Sequence, residues 1–227
     1  NNSRPPQTII GQSNGDIWYY PGGNNQNWEL FNNPPNKSGF GVTELSVQWN
    51  DSGDPNIVLS YENGEIWYFR SAGNGGSWSE IGNLKSDITQ MVVQWGNDGS
   101  PTQIVVGLAN GEVSYYNAQS GWQTINNFRK SITELSVQWQ ENGNPNIVAG
   151  LDNSEVQYYQ GSNGVWTQFH DGGWIYPVQQ LAVQWTSNDT QPLVVVGLGD
   201  NNGNNGSVWY YQGSGEQGGW TLLSGLP

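Results

Sequence analysis

The residues of this chain best equipped for chemistry are aromatic rings and side-chain amides, and the chemistry they suit is the grip on a sugar. There are 13 Trp and 11 Tyr in 227 residues. The C–H faces of a pyranose lie on indole or phenol rings while amides and carboxylates take up its hydroxyls. The candidate rings are Trp18, Trp67 and Trp209, then Trp28, Trp78, Trp122, Trp166 and Trp220, with Tyr68, Tyr115 and Tyr158 beside them. The candidate amides are Gln48, Gln94, Gln138 and Gln184, with Asn56 and Asn146. A second role is open to each glutamine: a neighbouring ring fills the space beside it and its amide bonds backbone.

Catalysis finds less to work with. A single active site needs acids that stand out from any repeat, whereas Asp16, Glu65, Glu112 and Glu155 each follow the same kind of turn. A pair of carboxylates set for glycoside hydrolysis is therefore the weaker reading. His170 is the lone histidine, so no histidine-rich metal centre can be assembled, and its neighbour Asp171 is a poor partner for a dyad. Asn50 to Asp54 comes nearest to a calcium loop and does not recur. The expectation is a protein without catalysis, metal or cofactor.

The elements that must position these groups repeat. Val-Gln-Trp occurs four times, ending at Trp49, Trp95, Trp139 and Trp185, at spacings of 46, 44 and 46 residues. Along this first strand Leu45, Val47 and Trp49 alternate with Ser46 and Gln48, the period of a strand with two unlike faces. A proline-led strand follows, beginning at Pro6, Pro55, Pro101, Pro145 and Pro192, where a residue without an N–H is tolerated. Next come Asn14-Gly15, Asn63-Gly64, Asn110-Gly111, Asn153-Ser154 and Asn205-Gly206, read as two-residue type I′ hairpin turns. The third strand keeps a tyrosine (Tyr19, Tyr68, Tyr115, Tyr158, Tyr210) and varies one place before it: Trp18, Trp67, Ser114, Gln157, Trp209. The fourth carries Trp28, Trp78, Trp122, Trp166 or Trp220.

Short strands at a fixed period near 45 residues predict an all-β, five-bladed β-propeller of four-stranded antiparallel blades, spanning roughly 5–32, 43–82, 89–126, 133–170 and 179–224 in one domain. A jelly roll or sandwich would leave the period unexplained. The first copy has no Val-Gln-Trp strand. Three explanations stand: a three-stranded blade, a blade completed by an irregular terminus, or a chain cut from a longer one.

Composition sets the outer limits. A net charge of −13, from 19 acidic and 6 basic residues, repels phosphate backbones and argues against nucleic acid. No run approaches 18 apolar residues, so no membrane insertion is expected. Without cysteine there are no disulfides or thiolate metals, and the start shows no apolar leader segment. An extracellular setting is favoured over a cytoplasmic one without being decided.

The order Val-x-Trp, Pro-x-Ile-Val, Asn-Gly-x-Ile and Gly-x-Gly-x-Trp resembles the blade repeat of the fungal and bacterial fucose-type β-propeller lectins, over nearly the whole chain. That resemblance implies metal-free sugar pockets between adjacent blades. The family's arginine is matched by Gln7, Asn56, Asn146 and Leu193, with Gln103 nearest in the third copy, and its glutamate by Tyr19, Tyr68, Tyr115, Tyr158 and Tyr210, so both charged fucose contacts are absent. The expected function is a multivalent lectin binding glycans, with self-association compatible. A protein-interaction scaffold, using a propeller face or the unpaired edge of the incomplete blade, is the alternative, ahead of a glycosidase.

Overall fold

The computed structural model describes residues 7–22, 27–35, 39–71, 75–141, 143–169, 173–186, 191–199, 206–212 and 218–223. They form an all-β fold of the five-bladed β-propeller class. The first sheet contains β1 (Thr8–Gly11), β2 (Ile17–Tyr20) and β3 (Glu29–Leu30). The second contains β4 (Val42–Trp49), β5 (Pro55–Tyr61), β6 (Glu65–Ser71) and β7 (Gly76–Asn83). The third has β8 (Ile88–Trp95), β9 (Pro101–Leu108), β10 (Glu112–Asn117) and β11 (Gly121–Asn127). The fourth has β12 (Ile132–Gln138), β13 (Asn146–Leu151), β14 (Val156–Gln160) and β15 (Val165–Gln168); the fifth has β16 (Val178–Gln184), β17 (Leu193–Leu198), β18 (Ser207–Gln212) and β19 (Gly219–Leu222). Each sheet is a meander in chain order, and the first has three strands among the described residues. His170, Asp171 and Asn205 lie outside those residues.

Two compact units divide the chain, Asn1–Ile104 with Tyr116–Trp122, and Val105–Tyr115 with Gln123–Pro227. Within the first, β4 packs on β1, and β8 on β4 and β5. Within the second, β16 packs on β12 and β13. The alternation of the first strand explains this layering, because Leu45 and Val47 pack against a core that includes Ile17, Ile57 and Leu59, while Leu181, Val183 and Trp185 pack against one containing Val148 and Val156. The second strands β5 and β13 are consequently buried along their whole length.

The hairpins differ from expectation in one respect. Gly15, Gly64 and Gly111 are left-handed, with φ of 80°, 82° and 87°, as is Ser154 at 76°, but the preceding asparagines are not. Each Asn side-chain carbonyl instead accepts the N–H two residues on, from Asp16, Glu65, Glu112 and Glu155 at 3.0, 3.1, 2.9 and 3.4 Å. That local bond competes with the left-handed asparagine a type I′ turn requires. The left-handed residue also donates its N–H to the carbonyl three residues back, from Gly64 to Tyr61 at 2.9 Å and from Gly111 to Leu108 at 3.0 Å. The result is a turn closed by one left-handed residue, the commoner solution for a three-residue loop.

Tyr61 ends β5, where the other sheets carry Leu108, Leu151 and Leu198, and its hydroxyl is buried with no hydrogen-bond partner. Burial, then Glu65 and Asp16, push its pKa up to about 12. Raised above its unfolded value, this group holds stability that is complete below about pH 10 and is lost as pH climbs toward 12. Tyr61→Phe should therefore flatten the fall in stability over that window and leave neutral stability equal or slightly higher, read by urea unfolding at stepped pH.

Candidate functional site

The repeated aromatics are largely spent on holding sheets together. The tryptophan on or beside each sheet's last strand pairs with an aromatic near the end of the strand before it: Trp28 with Tyr20, Trp78 with Phe69, Trp122 with Tyr116, Trp166 with Tyr159 and Trp220 with Tyr211, at centroid distances of 5.1–5.5 Å. Trp78 Nε1 donates to the Asn32 carbonyl at 2.6 Å and Trp122 Nε1 to that of Ile81 at 2.7 Å, each reaching the preceding sheet. Trp28 remains 44% exposed.

The third-strand tyrosine makes a second latch. Tyr68 donates its hydroxyl to the Gly99 carbonyl at 3.0 Å and Tyr115 to that of Gly143 at 2.8 Å, both in the first hairpin of the following sheet. In the first sheet Gln7 Nε2 joins Tyr19 to Gly53, donating to the two oxygens at 2.7 and 3.1 Å. The Val-Gln-Trp indole rests on the same ring, with Trp49 on Tyr19, Trp95 on Tyr68 and Trp185 on Tyr158 at 6.2, 6.3 and 6.5 Å. Burial raises the pKa of Tyr68 and of Tyr159, and Tyr68 makes its bond as a protonated donor.

The variable position before that tyrosine has a shared feature that spacing alone does not reveal. Trp67 Nε1, Ser114 Oγ and Gln157 Nε2 donate to Glu65, Glu112 and Glu155 two residues back, at 3.2, 2.5 and 3.2 Å. Trp209 Nε1 does the same to Ser207 at 2.9 Å, and Trp18 Nε1 turns to Gln12 at 3.2 Å. What is kept is a donor, not a shape, and the turn acids Glu65, Glu112 and Glu155 are its acceptors in three of the sheets.

The amides divide. Asn56 and Asn146 are buried, and their side-chain oxygens accept the N–H of Ser71 at 3.1 Å and of Gly161 at 2.8 Å. Gln138 Oε1 accepts from Gln140 at 2.7 Å and from Asn146 at 3.2 Å, and Gln94 Oε1 accepts from Thr102 at 3.5 Å. Gln184 is exposed. Gln48 differs from these amides in having, among the described residues, a buried side-chain oxygen without a partner, its nitrogen reaching the Gly96 carbonyl at 3.5 Å.

Gln48 lines a polar cleft of about 240 Å³ with Trp49, Asn56, Arg70, Ser71, Asn97 and Asp98. Arg70 stands 3.9 Å from Asp98 at the exposed rim. Hydrogen bonds from Ser100, and then Arg70, hold the Asp98 carboxyl below the usual carboxylate range. Such a lining offers amide, hydroxyl and carboxylate groups, a guanidinium donor at the edge and a partly exposed indole. Among the described residues no group of acidic or histidine side chains could hold a metal ion.

A second feature lies on the fifth sheet. An apolar groove of about 670 Å³ is lined by Ala182, Gln184, Leu193, Val195, Tyr210 and Leu223, among others. Leu193 is 44% exposed, whereas Asn56 and Asn146 at the same register are 3% and 1%. Val58 and Val148 are fully buried at the register where Val195 is half-exposed. Groove and cleft both contain residues beyond the expected set, notably Arg70, Asp98, Leu193 and Val195. For the groove one sign stood in the sequence, a leucine at Leu193 where other copies carry an amide.

No protein-family profile matches the chain, and no curated protein matches it in sequence. Solved structures resemble its fold. BBS1N, crystallised in complex with ARL6DN, superposes over 95% of this chain with a TM-score of 0.60 and 18% identity. Sqt1 of Saccharomyces cerevisiae superposes over 98% with a TM-score of 0.65 and 14% identity. The chain spans 61% and 60% of the length of those two structures.

Replacing Gln138 by Ala strands the buried Asn146 amide and should cost about 1–3 kcal/mol, while Gln48→Ala removes an unsatisfied acceptor and should be close to neutral. Urea denaturation of the two variants measures the difference.

Proposed function

We propose that this chain is a non-catalytic protein-interaction scaffold whose docking surface is the apolar face of the fifth sheet. One observation carries the reading: β16, β17 and β18 expose Leu193 and Val195 in a groove, at positions that are buried in the second and fourth sheets. A contiguous exposed apolar patch marks an interaction site. The recurring tyrosines and tryptophans are engaged between sheets, which weighs against a sugar site repeated in every blade. BBS1N, similar in fold, was crystallised with a protein partner. Selecting a random phage-displayed peptide library against the protein should enrich apolar peptides whose affinity falls at least tenfold on Val195→Glu, a variant checked for folding by circular dichroism. Failure to enrich any peptide, or equal binding to the variant, would remove the reading.

A second reading, a single saccharide site, is favoured by Gln48, which lines the polar cleft and has an orphan oxygen. A sugar hydroxyl would donate to it, another would accept from Arg70, and Trp49 would face the ring. Calorimetric titration with a panel of methyl glycosides should then show weak binding that Gln48→Ala abolishes. Absence of binding across the panel would rule this site out.

A further inference from the structure

Between the first and second sheets, both in the first unit, the packed rings leave a small cavity. It measures about 180 Å³ and is lined by Tyr19, Phe31, Asp54, Pro55, Phe69 and Ser71, among others. Its rings stand at steep angles to one another. Phe31 lies 6.2 Å from Tyr19 and 4.9 Å from Phe69, with an interplanar angle of 77° to each. Phe69 is held against Gly76, where a Cβ would run into its ring. Three rings set in this way are the walls of a box rather than a stack.

Most polar groups of that box are already engaged. The Tyr19 hydroxyl accepts from Gln7 Nε2 at 2.7 Å. Ser71 Oγ accepts from Asn50 Nδ2 at 3.0 Å and donates to Asn56 Oδ1 at 3.4 Å. Asp54 is tied through its backbone, its N–H donating to Asn50 Oδ1 at 2.8 Å and its carbonyl accepting the Asn50 N–H at 3.0 Å. Its half-buried carboxylate has no hydrogen bond or ion pair among the described residues. A negative charge beside aromatic walls is what remains to meet a ligand. A primary ammonium is strongly hydrated and brings three donors, too many for one uncommitted carboxylate. A quaternary ammonium brings none: its methyl groups pack on the rings and its charge is drawn by their quadrupoles. The net charge of −13 adds a general attraction for cations.

The repeat shows that this box is more than a by-product of packing. The residue before the second-strand proline is Asp54 here but Ser100, Asn144 and Gln191 in the later copies, so the carboxylate is particular to this place. The matching rings of the second unit, Tyr158, Phe169 and Tyr211, make similar contacts and are 5%, 1% and 1% exposed, whereas Tyr19 and Phe31 are half-buried. One ring set closes as core, and the other stays open beside an acid.

We propose that this box binds a trimethylammonium group, carried by a small quaternary amine such as choline or by a trimethylated lysine. Tyr19, Phe31 and Phe69 take the methyl groups and Asp54 balances the charge. The site is independent of the docking face on the fifth sheet, so either can fail without the other.

Isothermal titration calorimetry of the whole chain with choline chloride tests this, beside ethanolamine, the same skeleton with a primary ammonium, and Nα-acetyl-trimethyllysine amide. The better of the two quaternary ligands should bind saturably and about fivefold or more tighter than ethanolamine. Asp54→Asn keeps the backbone bonds to Asn50 and should weaken that binding about fivefold or more, as should Phe31→Ile, which installs the residue type of Ile81 and Ile125. Circular dichroism and melting establish that both variants fold. Tighter binding of the lysine derivative assigns the site to a methylated polypeptide, and tighter binding of choline to a free amine; both uphold the ammonium box. No saturable binding of either, equal binding of ethanolamine, or binding indifferent to Asp54→Asn and Phe31→Ile would overturn it.

Discussion

How closely one sheet can approach the next governs this protein. A second-strand glycine surrenders its side chain so that the β-branched residue opening the following sheet can press against the backbone, at Gly11, Gly107 and Gly150. That contact sets the position of the first strand, and from it follow the burial of Leu45 and Val47, the seating of Val-Gln-Trp indoles on tyrosines, and the reach of Tyr68 and Tyr115 to the turn glycines. Where serine replaces glycine, at Ser60, its hydroxyl shares a hydrogen bond with Thr43 at 2.8 Å, so the polar atom is satisfied.

The same constraint explains how structural and functional uses of one residue type separate. Rings and amides that could hold a sugar are also the groups able to tie two sheets through an N–H or O–H aimed at a carbonyl. In this chain most of them do the tying. The places proposed for binding lie where the repeat varies, as at the cleft around Gln48, with Arg70 and Asp98 at its rim, and the face at Leu193, where an amide has become apolar.

The strands and their order were legible because each rests on local chemistry: two-residue alternation, proline at strand starts, Asn-Gly at the turns; for the first copy the sequence left three explanations open, and among the described residues its sheet has three strands. The turn type was misjudged, since the asparagine side chain captures the N–H two residues on and so settles the backbone away from type I′. The site was hardest to read. Tyr68 as a latch and Tyr68 as a sugar contact leave the same mark in the sequence, and only the distance to the Gly99 carbonyl separates them. That a Cβ on Gly197 would meet Gln180 where one on Gly150 would meet Val178 is likewise invisible in a string where the two match letter for letter.

A direct comparison of Gly150→Val with Gly197→Val, by thermal and urea unfolding, tests whether one position is covered in the fourth sheet and uncovered in the fifth. At Gly150 the new side chain collides with Val178 and should cost about 3 kcal/mol or more. At Gly197 only Gln180 must give by a few tenths of an ångström, so stability should stay within about 1 kcal/mol of the parent. Equal and large losses at both positions would show that the fifth face is covered like the others and would contradict the account.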